Sequence, residues 1–274
     1  MAQTNQSFVT SGGDNGFVET ANIGGGGRYV LVCEHASNFI PDELSNLGLS
    51  DDALASHIAW DPGARAVCLE MAKLLDAAMV APKVSRLVFD CNRPVDAESA
   101  ILAKSEIYDI PGNVGVDEKE RNRRADIYYH PFGKALSGAI EKKSSNNSGM
   151  ALITIHSFTP VYQGVGRSVD IGIIHDSDSE LADELLKSSK KNEGLVFSRN
   201  EPYGPKDGVT FTLREHGTSR GIPNVMVEIK NSLILDEANQ KKIAAMLAAM
   251  ITEAVDAICK RRSPDNFPCC STGS

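Results

Sequence analysis

Arg28-Tyr-Val-Leu-Val-Cys-Glu-His-Ala-Ser-Asn38 decides how the rest of the chain is read. Tyr29 to Cys33 is a short apolar run, preceded by the glycines 24–27, and has the length and composition of a buried strand. Glu34 and His35 follow at once. A carboxylate and an imidazole are costly to bury at a strand end without a partner or a task. The same grammar returns in Ala151-Leu-Ile-Thr-Ile-His156 and in Asn224-Val-Met-Val-Glu228. In open α/β sheets the carboxyl ends of the strands are where ligands bind. Three buried strands, each ending on an acid/base or metal-ligating residue, therefore predict a site gathered at one rim.

Outward from these strands, apolar runs alternate with helical patterns. Ala64 to Ala78 carries apolar residues at helical spacing, with Pro62 in the first turn and Asp61 at the cap position. Short helices are expected over 42–47 and 51–58, the second capped by Ser50. Residues 117–144 read as one long helix bent near Pro131, 179–190 as another, and 235–260 as an amphipathic closing helix. Further short strands are expected at 87–89, 171–175, 194–199 and 210–214. The alternation predicts an α/β fold, a mixed, mostly parallel sheet between two helical layers. Residues 28–262 are expected to form one domain, after a flexible lead-in (1–27) and before a disordered tail (263–274).

The 274 residues carry a formal charge of −8, which argues against a nucleic-acid partner. No run approaches the roughly 18 apolar residues needed to span a bilayer. The polar 1–22 segment lacks the basic-then-apolar order of a secretory signal. None of the six cysteines sits in a zinc-knuckle or CxxC spacing, which fits reduced thiols and a cytoplasmic location. Oligomeric state leaves no mark in the sequence.

His35 and His156 are the expected metal ligands, with a carboxylate as third; hydrolytic zinc sites use three such ligands and keep a fourth position for water. Asp61 is preferred as the third, with Glu34 and His57 as rivals. Taken singly, each histidine is more often a hydrogen-bonded structural residue. Glu228, in an apolar run, should have a raised pKa and suits a general base; the bland alternative is a buried ion pair. Arg86, Asn92, Arg93 and Arg167 are candidate grips for a substrate carboxylate. Internal pairs Arg86–Asp90 and Arg93–Asp61 are the competing reading. His216 is a candidate oxyanion donor, against a plain loop histidine. No GxSxG, P-loop or strand-linked GxGxxG occurs, so serine-hydrolase and nucleotide-binding readings have no support.

The ordered blocks Val-Leu-Val-Cys-Glu-His-Ala-Ser-Asn, His-Ile-Ala-Trp-Asp-Pro-Gly-Ala, Ser-Arg-Leu-Val-Phe-Asp-Cys-Asn-Arg-Pro, Thr-Ile-His-Ser-Phe-Thr-Pro and Val-Glu-Ile-Lys-Asn resemble the N-formylglutamate amidohydrolase family, over roughly Tyr29 to Ile258. The resemblance implies a phosphorylase/hydrolase-like fold, shared with zinc carboxypeptidases and amidases. It implies His35, Asp61 and His156 as ligands of Zn2+, Glu228 as base, and a small anionic N-acyl amino acid as substrate. His/Asp ligation also admits manganese, cobalt or iron. The Glu-His-Ala-Ser signature resembles a divergent branch, so another N-acyl amino acid is an expected alternative substrate. A different zinc amidase or peptidase activity, and a metal-free binding protein on the same fold, are the remaining alternatives.

Overall fold

The computed structural model describes residues 10–12, 16–146 and 149–262. Eight strands form its central sheet: β1 (Thr10–Gly12), β2 (Val18–Ala21), β3 (Tyr29–Val32), β4 (Ala78–Pro82), β5 (Ala151–Phe158), β6 (Ile171–Ile174), β7 (Phe197–Arg199) and β8 (Asn224–Lys230). Their order across the sheet is β1-β2-β4-β3-β5-β8-β6-β7. The central pairings β4–β3, β3–β5 and β5–β8 are parallel, as is β6–β7; β1–β2, β2–β4 and β8–β6 are antiparallel. The sheet is thus mixed and mostly parallel, as expected.

Four helices cover it: α1 (Ala64–Leu74), α2 (His130–Asn146), α3 (Glu180–Ser188) and α4 (Glu237–Arg262). Both faces of the central strands are apolar, so both must be covered. Leu31, Met79, Ile153, Ile173 and Val227 pack with Val67 and Met71 of α1, Leu185 of α3 and Leu247 and Ile251 of α4. On the other face Val30, Val32, Val80 and Leu152 meet Phe132, Leu136 and Ile140 of α2. These are the three expected layers.

Several local expectations change. Residues 18–21, expected in the lead-in, form the antiparallel strand β2, and Glu19 on it is held by the Arg65 fork at 2.7 Å. Residues 1–9 and the tail 263–274, with Cys269 and Cys270, lie outside the described residues. The expected strand at 87–89 is a buried turn: the Ser85 hydroxyl accepts from Leu87 N at 3.1 Å and bends the backbone out of extension. The expected strand at 210–214 is replaced by a π-helical turn over Leu213–Gly217. The long helix runs Glu118–Arg124, widens into a π-turn over Ala125–Tyr129, and continues as α2. That widening falls just before Pro131, which has no N–H to donate. No helix among the described residues is long and apolar enough to cross a membrane.

Candidate metal and catalytic site

Register builds the site. Val32 of β3 lies opposite Thr154 of β5, and His156 lies opposite Glu228 of β8. Side chains two apart on a strand share a face. Glu34, His156 and Glu228 therefore form a row across three neighbouring strands, at their carboxyl ends. His35 leaves the strand just beyond it. The backbone N–H of Asp61 donates to the carbonyl of His35 at 2.9 Å, which stitches the loop before α1 to the end of β3.

Asp61 was expected to cap α1. That position belongs instead to Gly63, at φ +81°, where a Cβ would stand 2.7 Å from the Ile234 carbonyl. The turn frees the Asp61 carboxylate to face the sheet end. Its Oδ2 lies 2.8 Å from His156 Nδ1 and 3.4 Å from His35 Nδ1. The two rings pack edge to face with centroids 4.8 Å apart. All three residues are nearly fully buried.

These three donors fit a cation. Tetrahedral ligands at zinc bond lengths stand roughly 3.3 Å apart; the two histidine nitrogens lie 2.8 and 3.4 Å from Asp61 Oδ2, and one ligand atom from each residue falls within 4.8 Å of the others. His35 Nδ1 is buried with no hydrogen-bond partner, its 3.4 Å approach to Asp61 Oδ2 falling short of a hydrogen bond. The far nitrogen of each ring faces a second acid. His35 Nε2 is 2.9 Å from Asp90 Oδ1, and His156 Nε2 is 3.0 Å from Glu34 Oε2, the latter off the hydrogen-bond direction. Carboxylates behind metal-ligating imidazoles fix the tautomer and raise ligand basicity. Glu34, a rival for the third ligand, is thus behind His156. His57, the other rival, pairs with Glu106 at 2.8 Å, away from the cluster.

Charges are arranged accordingly. Burial alone would raise the Asp61 pKa, but the two imidazoles hold it far below the usual carboxylate range. Burial likewise works against ionising Glu34, yet His156 brings it below its ordinary value. His156, pushed down by burial, is lifted well above normal by Glu34 and Asp61. Glu228 goes the other way. Burial, with Asp61 adding to it against the pull of His156, raises its pKa to about 7, and Oε2 has no hydrogen-bond partner.

The remaining sequence candidates divide. Arg86 reaches the cluster, 2.9 Å from Asp90 and 3.9 Å from Asp61. The expected Arg86–Asp90 pair is present. Arg93 donates to its neighbour's carbonyl at 2.8 Å and is close enough to Asp90 to help hold that carboxylate ionised. Asn92 spends both ends of its amide on backbone, donating to Val209 and accepting from Thr212. Arg167 stacks among Phe158, Tyr162 and Tyr203. His216 falls outside the three-residue donor set. It lines a cavity of about 260 Å³ with Cys91, Tyr129, Phe132 and Phe211, where burial and Arg220 lower its pKa against the opposing pull of Glu215 and Glu34. Two residues went unread in the sequence, Asp90 as an acid behind His35 and Tyr203 beside the base. Asp90 had one signal, its spacing of four from Arg86.

The N-formylglutamate amidohydrolase family matches residues 27–235. The chain is similar to the gene product Atu2144 from Agrobacterium tumefaciens, at 48% identity and TM-score 0.86, over 88% of this chain and 96% of that one. It also resembles the N-formylglutamate amidohydrolase of Ralstonia eutropha JMP134 in fold, at 16% identity and TM-score 0.56, over 93% and 98% of the two chains. No curated protein matches the chain.

Proposed function

Because the chain belongs to the N-formylglutamate amidohydrolase family, hydrolases of amide bonds, we propose that it is a divalent-metal amidohydrolase. Its substrate is the N-acyl amide of a small acidic amino acid, with N-formyl-L-glutamate as the leading candidate. The observation that carries this reading is the buried His35–Asp61–His156 donor set with Glu228 on the neighbouring strand. His35 Nδ1, Asp61 Oδ2 and His156 Nδ1 would hold the cation. When bound, zinc or a similar cation supplies Lewis-acid polarisation of the amide carbonyl and acidification of water.

The protein's own groups do the rest. A carboxylate with a pKa near 7 is matched to taking a proton from water at neutral pH and returning it to a leaving nitrogen. Glu228 therefore acts first as base and then as acid. Asp90 and Glu34 would keep the ligand rings turned and make their metal-facing nitrogens more basic. Arg86 and Arg93 provide positive charge at the site for a substrate carboxylate, Arg86 in part offset by Asp90 and Asp61. Burial of Cys33, Cys68 and Cys91 as free thiols supports a reducing, cytoplasmic setting.

Metal analysis of the purified protein with an assay on N-formyl-L-glutamate and other N-acyl amino acids tests the reading. Glu228→Gln should keep the metal and lose at least about 100-fold in kcat; His35→Ala should lose metal and activity together. Ordinary turnover by Glu228→Gln overturns the assignment of the base.

A further inference from the structure

Tyr203 is held beside Glu228 by a packing detail that the reaction reading leaves unused. Gly172 of β6 is the register partner of Glu228. A Cβ built on Gly172 would lie 2.0 Å from the Glu201 carbonyl oxygen and 3.2 Å from the Glu228 Cβ. Only glycine lets the 201–203 backbone descend onto the sheet at this point. The descent leaves Tyr203 close enough to Glu228 and Asp61 for both carboxylates to act on its phenol.

Its hydroxyl is then fixed from behind. Arg167 Nη2 donates to Tyr203 Oη at 2.9 Å, and Arg167 Nη1 donates to the Thr159 carbonyl at 3.3 Å. The guanidinium is 4.7 Å from the centre of the Tyr162 ring and 4.8 Å from that of Tyr203, with Phe158 at 5.5 Å. Arginine stacked on aromatic faces and bonded at two nitrogens is a rigid prop. Because Tyr203 Oη accepts from Arg167, its own proton has to be donated elsewhere. Burial and the nearby Glu228 carboxylate push the phenol up, so it is protonated at neutral pH.

We propose that Tyr203 donates a hydrogen bond to the carbonyl oxygen of the scissile amide as charge builds on it, and that Arg167 is the positioning residue that aims this donor. The proposal rests on the amidohydrolase reading above. The proton stays on Tyr203 throughout; the water proton travels by Glu228. Arg167 is then not a grip for a substrate carboxylate, the role its Gly-rich surroundings had indicated.

The test uses the metal-loaded protein and whichever N-acyl amino acid the wild type hydrolyses. Tyr203→Phe should lower kcat by about 100-fold with KM within about twofold, the loss expected for one oxyanion donor. Metal content and melting temperature should stay near wild type. Arg167→Met should lower kcat about tenfold at similar KM, since it acts only through Tyr203. In the double variant the effects should be far from multiplicative, close to Tyr203→Phe alone. A Tyr203→Phe protein with wild-type kcat overturns the proposal while leaving the amidohydrolase reading intact. A large rise in KM with kcat kept in Arg167→Met returns that residue to substrate binding and overturns its positioning role. A wild type that hydrolyses no N-acyl amino acid removes the underlying reading, and this assignment with it.

Discussion

Asp90 and Glu34 never need to touch a substrate to matter. Each stands about 3 Å behind an imidazole whose other nitrogen faces Asp61. Replacing Asp90 by Ala should weaken zinc binding 10–100-fold, read by competition with a chromogenic chelator; unchanged affinity would mean that His35 is held by its backbone alone. At the base the sign with pH is fixed by which form works. Glu228 must be ionised to accept a proton, so kcat/KM should fall as pH drops through its pKa of about 7. A bound cation favours the carboxylate and moves that limb lower. The acid limb of the metal-loaded enzyme should therefore lie at or below pH 7; one well above it would point to another group. His35, His156 and Glu228 were legible in the sequence because a polar residue closing an apolar strand is conspicuous. Tyr203 was not, because its place depends on a loop crossing a glycine on a strand about thirty residues earlier. His216 stands outside the three-residue donor set and lines a cavity with Cys91 and Phe211.

At the scale of elements, two glycines set the geometry. Gly63 turns the chain so that α1 starts three residues after Asp61, and at its positive φ a side chain would run into Ile234. Gly63→Ala should cost about 1–3 kcal/mol from strain and overlap and weaken metal binding as well, because the shift reaches Asp61. Denaturant unfolding with and without metal measures both effects. Gly172→Ala should displace the 201–203 segment and lower kcat; an unaltered kcat would show that the loop has another way to settle. The strands and the long helices were readable from periodicity. The 87–89 turn and the Leu213–Gly217 π-turn were not, because Val, Phe and Leu in a short run look alike in a strand and in a buried turn. In the first case a single hydroxyl, Ser85, settles the matter by hydrogen bonding to the backbone. The misplaced helix cap had a similar origin, since an Asp-Pro pair favours capping until a following glycine takes the turn.

Across the whole molecule, a cation held as proposed would couple stability to ion binding. Glu34, Asp61, Asp90 and Glu228 are all at most 5% exposed and share one end of the sheet. A cation that binds the folded protein alone stabilises it by RT ln(1 + [M]/Kd), about 2.7 kcal/mol at 100 times Kd. For a domain of this size that is a rise in Tm of roughly 5–10 °C. Scanning calorimetry before and after chelation should show this gap, and His35→Ala should close it. By contrast Leu247→Ala, in the helix layer far from the donors, should cost about 2–5 kcal/mol and leave the metal-dependent increment in Tm unchanged.

The strand order has a consequence for how such a protein comes into being. β8 is slotted between β5 and β6, although both of those precede it along the chain. In the order of synthesis the candidate base therefore comes last: His35, Asp61 and His156 all precede β8, and the strand that carries Glu228 has to enter between two neighbours before that residue stands across from His156.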